Sequence, residues 1–179
     1  MRNMIVFILL CLPVAFAQDQ KKDQKPATLR SLLIEQLKAT HTNKDWFVPA
    51  NIAVQGLTPE QVSWTDGHGN HSIGQLAYHL AFWNAQELAI FRGETPAKYG
   101  GKNDETFTDF DAKRWSETVQ QLEKAMVGLE QYVESADEKS IEKNASMIAT
   151  LAMHNAYHIG QIIYIRRLQS SWNPEMGVK

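Results

Sequence analysis

Two histidines near the C-terminus, His154 and His158, lie four residues apart in the segment MHNAYHIGQ. In an α-helix this spacing is a rotation of about 40° and a rise of about 6 Å, so both imidazole rings leave the same face. Neutral imidazole suits zinc, nickel and copper better than magnesium or calcium. The pair therefore predicts two ligands for one divalent metal ion.

A third histidine, His79, is in the middle of another apolar helical segment, QLAYHLAFW, and can supply a ligand from a facing helix. A single histidine in such a segment is usually a core residue with hydrogen-bonded ring nitrogens. Two adjacent buried imidazoles are harder to accommodate, because four ring nitrogens need partners, and a metal ion removes part of that cost. The pattern favours a three-histidine metal site and leaves packed core histidines as the alternative.

Helical geometry indicates which residues surround this site. Tyr157 and Gln161 each lie three residues after a predicted ligand and can orient it from outside the coordination sphere. Trp83 follows His79 by four residues as a candidate pocket wall, and Glu87, two turns beyond His79, is a candidate base. Ordinary packing is the alternative for each of these side chains, and no catalytic residue is assigned.

The other three histidines are expected outside the bundle core. His68 and His71 have HxxH spacing, but they lie beside Gly67 and Gly69 in a predicted loop and are expected to be solvated. His41 is expected at the end of the first helix, also away from the core.

The elements that carry the candidate ligands are long amphipathic helices. Apolar residues repeat at helical spacing, with Leu29 and Met147 assigned to inner faces, and no run alternates with a period of two. The sequence therefore predicts an all-α four-helix bundle. The predicted helices span residues 28–43, 72–92, 109–135 and 142–169.

The connections between these helices differ in length. Ser72 and Gln75 form a predicted capping box at the start of the second helix. Thr58, Pro59 and Gln61 predict the capped start of a short extra helix within the long first connection. Only a few residues separate the third and fourth helices, which are therefore expected to be antiparallel neighbours.

Residues 1–17 have one basic residue, an apolar run and a small-residue ending, which predicts a secretory signal peptide. A disordered tether at 18–27, a domain at 28–172 and a tail at 173–179 are expected to follow. Cleavage after Ala17 would leave 162 residues with a net charge of −3 and no cysteine. The mature protein is therefore expected in the periplasm or outside the cell, with no membrane span after cleavage and no basic excess for nucleic acid.

Three segments, YHLAFW, HNAYHIGQ and GLTPEQVSW, together resemble the DinB-like (YfiT-like) superfamily of bacterial four-helix-bundle metalloproteins. The resemblance implies an up-down-down-up bundle with a long crossover after the first helix, and frequent homodimers. It also implies a nickel or zinc ion held by His79, His154 and His158. Some members are S-transferases that use a low-molecular-weight thiol such as bacillithiol, mycothiol or glutathione, and others are described as metal-dependent hydrolases.

Three neutral imidazoles leave the charge of a divalent ion uncompensated and a coordination position open, which is typical of catalytic sites. Such an ion can lower the pKa of bound water toward ~7 or hold a thiolate. Any thiol must come from outside, because the mature chain has none. We therefore expect an exported metal-dependent enzyme, a thiol-dependent S-transferase or a hydrolase, acting on a small molecule. A non-catalytic exported metal-binding protein and a purely structural bundle are the alternatives.

Overall fold

The computed structural model describes residues 26–108 and 110–178, and this part of the chain contains helices and no strand. Four of the helices are long, as the sequence predicts, and the fold is an all-α helical bundle. Single 3-10 turns lie at Ala112–Arg114 and Pro174–Met176. In chain order the α-helices are α1 (Leu29–His41), α2 (Ala50–Ala53), α3 (Pro59–Ser63), α4 (Ile73–Phe91), α5 (Glu105–Thr108), α6 (Trp115–Ser135) and α7 (Glu138–Leu168).

Two helix starts follow the predicted capping chemistry. The Ser72 hydroxyl accepts a hydrogen bond from the Gln75 backbone N–H at 3.2 Å, and the Gln75 side-chain oxygen accepts one from the Ser72 N–H at 2.9 Å. Thr58 and Gln61 exchange the same two bonds at the start of α3. Each box satisfies two backbone donors that a helix start leaves unpaired, so both predicted starts are confirmed.

Contacts of α1 fix the direction of two other helices. Arg30, at its start, bonds Glu138 at the start of α7 at 2.6 Å, so α1 and α7 run the same way. Arg30 also donates to the backbone oxygen of Val133 near the end of α6, whereas His41, at the other end of α1, reaches Glu123 in the middle of α6. Helices α1 and α6 are therefore antiparallel.

Helix α4 runs parallel to α6 and antiparallel to α7. Its Leu88 lies against Gly128 of α6 and its Asn84 bonds Asn155 of α7, while residues 76 and 165 line one cavity nearer the start of α4. The order is up for α1, down for α4, down for α6 and up for α7. The predicted topology is confirmed, with α2 and α3 in the long crossover after α1.

Helices α6 and α7 are antiparallel but they are not neighbours along their length, so that prediction was wrong. Helices α1 and α4 each pack on both α6 and α7. Helices α6 and α7 therefore occupy diagonally opposite positions in the bundle. Only residues 136–137 join them, and Asn144 donates to the Tyr132 hydroxyl at 2.7 Å near this turn. A short connection holds two helix ends together, but apolar faces determine which helices pack side by side.

The third long helix starts later and the fourth earlier than predicted. Helix α6 begins at Trp115, and the chain before it folds as α5 and a 3-10 turn; the predicted first residue, 109, lies outside the described residues. A Cβ at Gly74 would overlap the Phe110 ring, so this glycine lets the segment lie close against α4. Helix α7 begins at Glu138, because Asp137 accepts the Ser140 N–H at 2.9 Å and caps it.

Two apolar clusters form the core. One surrounds Ile73 and Leu80 and the other surrounds Leu129 and Ile148, all four fully buried. Leu29 and Met147 were predicted on inner faces but are 41% and 43% exposed, and Ile148 takes the place of Met147. One residue along a helix is a rotation of 100°, so an error of one position moves a side chain out of the core.

The prediction for His41 was also wrong, because this residue is buried between α1 and α6. Its Nδ1 lies 2.6 Å from a Glu130 oxygen and its Nε2 lies 2.9 Å from a Glu123 oxygen. Two carboxylates therefore satisfy the ring and fasten the end of α1 to α6. The two glutamates are far from His41 in sequence, so the local pattern around His41 gives no sign of this contact.

The predicted signal peptide and residues 18–25 of the predicted tether lie outside the described residues. The domain limits 28–172 and the tail 173–179 stay predictions. Among the described helices, none is both long enough and apolar enough to cross a membrane.

Candidate metal centre

The bundle brings the three predicted histidines together. His79 comes from α4, and His154 and His158 come from successive turns of α7. One ring nitrogen from each lies within 4.8 Å of the others, which is close enough for one ion to bind all three. His79 and His158 are buried and His154 is partly buried.

The free ring nitrogens converge. His79 Nε2 and His154 Nε2 are 3.0 Å apart, and the ring centroids of the three histidines are 4.6 to 5.0 Å apart. Zinc binds imidazole nitrogens at about 2.0–2.1 Å, so two nitrogens of one tetrahedral site lie slightly more than 3 Å apart. The observed spacing suits such an ion.

Thr106 of α5 fixes the orientation of the His79 ring. Its hydroxyl donates to the Asn103 backbone oxygen at 2.6 Å, so its oxygen accepts from His79 Nδ1–H, also at 2.6 Å. The proton of His79 is therefore on Nδ1, and the Nε2 lone pair faces the other histidines. Hydrogen bonds of this kind hold metal ligands in place in many sites.

Gln161 does the same for His158. Its side-chain oxygen accepts from His158 Nδ1–H at 2.6 Å, while its amide donates to the Tyr157 hydroxyl at 3.3 Å. This leaves His158 Nε2 free to bind an ion. Tyr157 is 63% exposed and lies at the edge of the site, with its ring centroid 4.9 Å from that of His158.

The donor set fits a divalent metal ion. Nε2 is the free nitrogen of both His79 and His158, and His154 Nε2 lies beside that of His79. Among the described residues, nothing hydrogen-bonds His154 Nδ1, although this atom is buried. Without a metal, the ring nitrogens that face one another therefore present more lone pairs than N–H protons. A bound cation would accept these lone pairs.

Burial lowers the pKa of all three imidazoles, so they are neutral at pH 7, and neutral imidazole is the state that binds metal. Burial, with smaller contributions from the charges of His158, His154 and His71, lowers the pKa of His79 to about 3. Burial and the charge of His158 lower the pKa of His154 to about 4. The pKa of His158 is lowered as well, mainly by burial, and the hydrogen bond to Gln161 partly opposes this effect.

A pair of buried amides sets the register of α4 against α7. Asn84 donates to the Asn155 side-chain oxygen at 2.7 Å, and Asn155 donates back at 3.1 Å. Both residues are fully buried, and each is close in sequence to a histidine of the cluster. Sliding one helix would leave these amides unpaired in the core, which costs about 1–3 kcal/mol per group. The pair therefore helps to keep His79 opposite His154.

Aromatic rings cover the site. Phe107 of α5 stacks on His79 at 3.9 Å, and His71 stacks on the other face of Phe107 at 3.8 Å. Trp83 meets His79 edge-on at 6.4 Å and contacts Tyr99, so the predicted pocket-wall position of Trp83 is next to the site. These rings border the ligands on the α5 side, and the Tyr157 ring borders them at the exposed edge of α7.

Two other predicted residues lie apart from the cluster. Glu87 is half-buried and burial raises its pKa, but in the described part of the chain it does not join the group of candidate ligands. His68 is exposed in its loop, where its backbone N–H donates to Asp66.

Sequence reasoning missed several contributors. Thr106 and Phe107 lie in a connecting segment with no periodic signal. His71 is exposed, as predicted, but its stacking on Phe107 was not foreseen. The two asparagines were missed as a pair, although a polar residue on an apolar helix face is a usable signal at Asn84. Their partnership spans 71 residues and needs the fold.

The fold and the histidine cluster define a class of helical-bundle proteins with a three-histidine site that could bind a metal. The family comparison agrees: a model of the DinB superfamily matches residues 50–162, more than half of the chain. The chain belongs to the DinB superfamily. No similar protein was found among curated proteins or among solved structures.

Proposed function

We propose that this protein is a metal-dependent enzyme that acts on a small molecule, with one divalent ion held by His79, His154 and His158. One observation supports the proposal above all: three neutral imidazoles converge from two helices with Nε2 free on His79 and His158. A divalent ion held by three neutral ligands keeps its charge and an open position, and it acts as a Lewis acid when bound.

The residues around the cluster have separate tasks in this proposal. Thr106 and Gln161 hold protons on the outer ring nitrogens and keep two rings in position. Phe107 and Trp83 exclude water from one side. A reacting group enters past Tyr157, whose exposed ring borders the site.

Zinc and nickel are the metals we favour, because both suit imidazole ligands. The reaction is either hydrolysis or transfer to an external low-molecular-weight thiol. A non-catalytic exported metal-binding protein is the competing function, and an accessible cavity beside the cluster favours the enzyme over it.

Activity measurements on four samples test the proposal: the zinc-loaded, nickel-loaded and metal-free protein, and metal-treated His154→Ala. Each is assayed on small esters, amides and lactones, and on small electrophiles with a thiol such as glutathione. Turnover that requires metal and disappears in His154→Ala supports the enzyme. Tight metal binding without turnover in any sample favours the non-catalytic function.

We also propose that the protein is exported and that it forms homodimers. The residue 1–17 pattern supports export, and detection of the mature N-terminus in the periplasm or medium tests it. Exposed apolar side chains elsewhere on α1 and α7, including Leu32 and Met147, support self-association. A sedimentation-equilibrium mass of one chain would contradict the dimer.

A further inference from the structure

A cavity of about 350 Å³ adjoins the histidine cluster on the α3 side. Gln161 lies in its wall and also bonds His158. His71 lies in its wall and stacks on Phe107, which stacks on His79. The cavity is therefore next to the cluster through Gln161, and the stacked rings of His71 and Phe107 connect its wall to His79. Its volume is at the lower end of small-molecule pockets.

About half of the lining is apolar or aromatic. Leu76 is buried near the start of α4, Trp64 follows α3, and Ile165 and Leu168 lie three residues apart on α7. Leu168 is 52% exposed and the neighbouring Tyr164 is 64% exposed, so the cavity opens to solvent. A ligand can enter from this side and cover apolar surface that water now contacts.

Asp66 gives the cavity its charge. Its two oxygens accept from the His68 backbone N–H at 3.0 Å and the Asn70 side chain at 2.6 Å, which orients the carboxylate. These hydrogen bonds, with that from His68 the larger cause, lower the pKa of Asp66, so it is ionised at neutral pH. No lysine or arginine is among the residues that line the cavity.

We propose that this cavity binds the non-reacting part of the substrate, and that this part is a flat apolar or aromatic group with an amine or another cationic group. Asp66 would attract the cation, and the faces of Trp64 and Tyr164 favour cations as well. Thiols such as glutathione carry carboxylates and would find no cationic partner here. The inference rests on the proposed function and narrows its substrate to a small molecule with a cationic group.

Three probes with one indole ring test the charge preference: tryptamine is a cation, tryptophol is neutral and indole-3-propionate is an anion. Their affinities are measured by ligand-observed NMR with metal-free and zinc-loaded protein. We expect tryptamine to bind about three- to tenfold more tightly than tryptophol, and indole-3-propionate to bind more weakly still. Equal affinities for the three probes would overturn the proposal.

Variants connect this preference to the cavity. Asp66→Asn should reduce the difference between tryptamine and tryptophol to less than twofold, whereas Asp45→Asn, at an exposed carboxylate outside the cavity, should leave it unchanged. Leu168→Lys adds a cation at an exposed position and should favour indole-3-propionate over tryptamine. A preference that neither Asp66→Asn nor Leu168→Lys changes would place the indole elsewhere and overturn the proposal.

Cobalt-loaded protein tests whether the cavity and the metal are adjacent. Protons of bound tryptamine should relax faster with paramagnetic cobalt than with zinc, and an unchanged relaxation rate would contradict adjacency. Failure of the proposed function can be distinguished from failure of the cavity proposal, because the cavity lining does not depend on a metal. If the protein binds no zinc, the proposed function fails, while the probe affinities of the metal-free protein still decide the charge preference.

Discussion

The three histidines are not held in the same way. His79 donates to Thr106 and His158 donates to Gln161, so the proton position of each ring is fixed before any metal arrives. His154 has no such partner for its Nδ1 in the described part of the chain. Two rings are therefore pre-oriented, and the third depends more on the ion itself.

Thr106→Val should weaken zinc binding by about 10- to 100-fold, because valine cannot accept the His79 proton. The matched control is Thr108→Val, since Thr108 is exposed and its hydroxyl donates to the Glu105 backbone oxygen in its own helix turn. Isothermal titration of zinc into the two folded variants measures the effect. Equal affinities for both would show that Thr106 does not orient the ligand.

The metal-free protein should lose stability as the pH falls from about 6.5 toward 4. The pKa values of His79 and His154 are lowered to about 3 and about 4, so in this window the unfolded chain binds protons that the folded chain does not. Above pH 6.5 both residues are neutral in the folded and the unfolded chain, so they do not reduce the free energy of unfolding. Below pH 6.5 the unfolded chain takes up protons and the free energy of unfolding decreases. Urea unfolding at pH 7 and pH 5 measures the change.

The control for this prediction is His79→Gln/His154→Gln, which removes both titrating groups. The free energy of unfolding of this variant should change less between pH 7 and pH 5 than that of the parent. The same change in both proteins would mean that other groups cause the pH dependence.

At the scale of the elements, the site depends on how α4 and α7 align. The capping box at Ser72 fixes where α4 begins, and the Asn84–Asn155 pair fixes how far α7 slides along it. Helix α5 then adds Thr106 and Phe107 from outside the bundle. A single ligand is thus positioned by residues from three helices.

Removing the buried amide pair should separate stability from metal binding. Asn155→Leu alone leaves Asn84 with an unpaired group and should cost about 1–3 kcal/mol of stability. The double variant Asn84→Leu/Asn155→Leu should recover much of this stability but bind zinc more weakly, because a leucine pair specifies no register. Chemical unfolding and zinc titration are the measurements.

The comparison variant is Asn144→Ala, which removes an interhelical hydrogen bond near the α6–α7 turn. It should lower stability without changing the zinc affinity. If the double leucine variant binds zinc as tightly as the parent, the amide pair does not position the site.

The sequence predicts the four helices and the three histidines because both are local signals. Apolar periodicity shows where α4 and α7 lie, and a spacing of four residues places His154 and His158 on one face. The sequence does not predict the burial of His41, because the two glutamate partners of His41 lie 82 and 89 residues away. Thr106 was missed for the same reason, since its bond to His79 joins residues 27 apart through an irregular segment.

At the scale of the molecule, an ion bound by the cluster would connect two of the four long helices. His79 is on α4 and the other two ligands are on α7, and α4 is also in extensive contact with α6. Metal binding should therefore stabilise the whole bundle, since the unfolded chain cannot hold the three ligands together.

Zinc-loaded protein should melt at a higher temperature than chelator-stripped protein. Free zinc at a few hundred times the dissociation constant adds about 3 kcal/mol, which is roughly 6–12 °C for a chain of this size. Scanning calorimetry of both forms measures the shift, and His79→Ala should show little of it. Equal melting temperatures, with zinc bound in one sample only, would argue against a site between helices.

The most direct test of the metal site is a zinc titration of the metal-free parent, His79→Ala and His68→Ala. His79 is the ligand from the second helix, whereas His68 is exposed in a loop away from the cluster. The parent and His68→Ala should each bind one ion with equal affinity. His79→Ala, checked for folding by circular dichroism, should bind at least about 100-fold more weakly. Binding by His79→Ala with the affinity of the parent would contradict the three-histidine site.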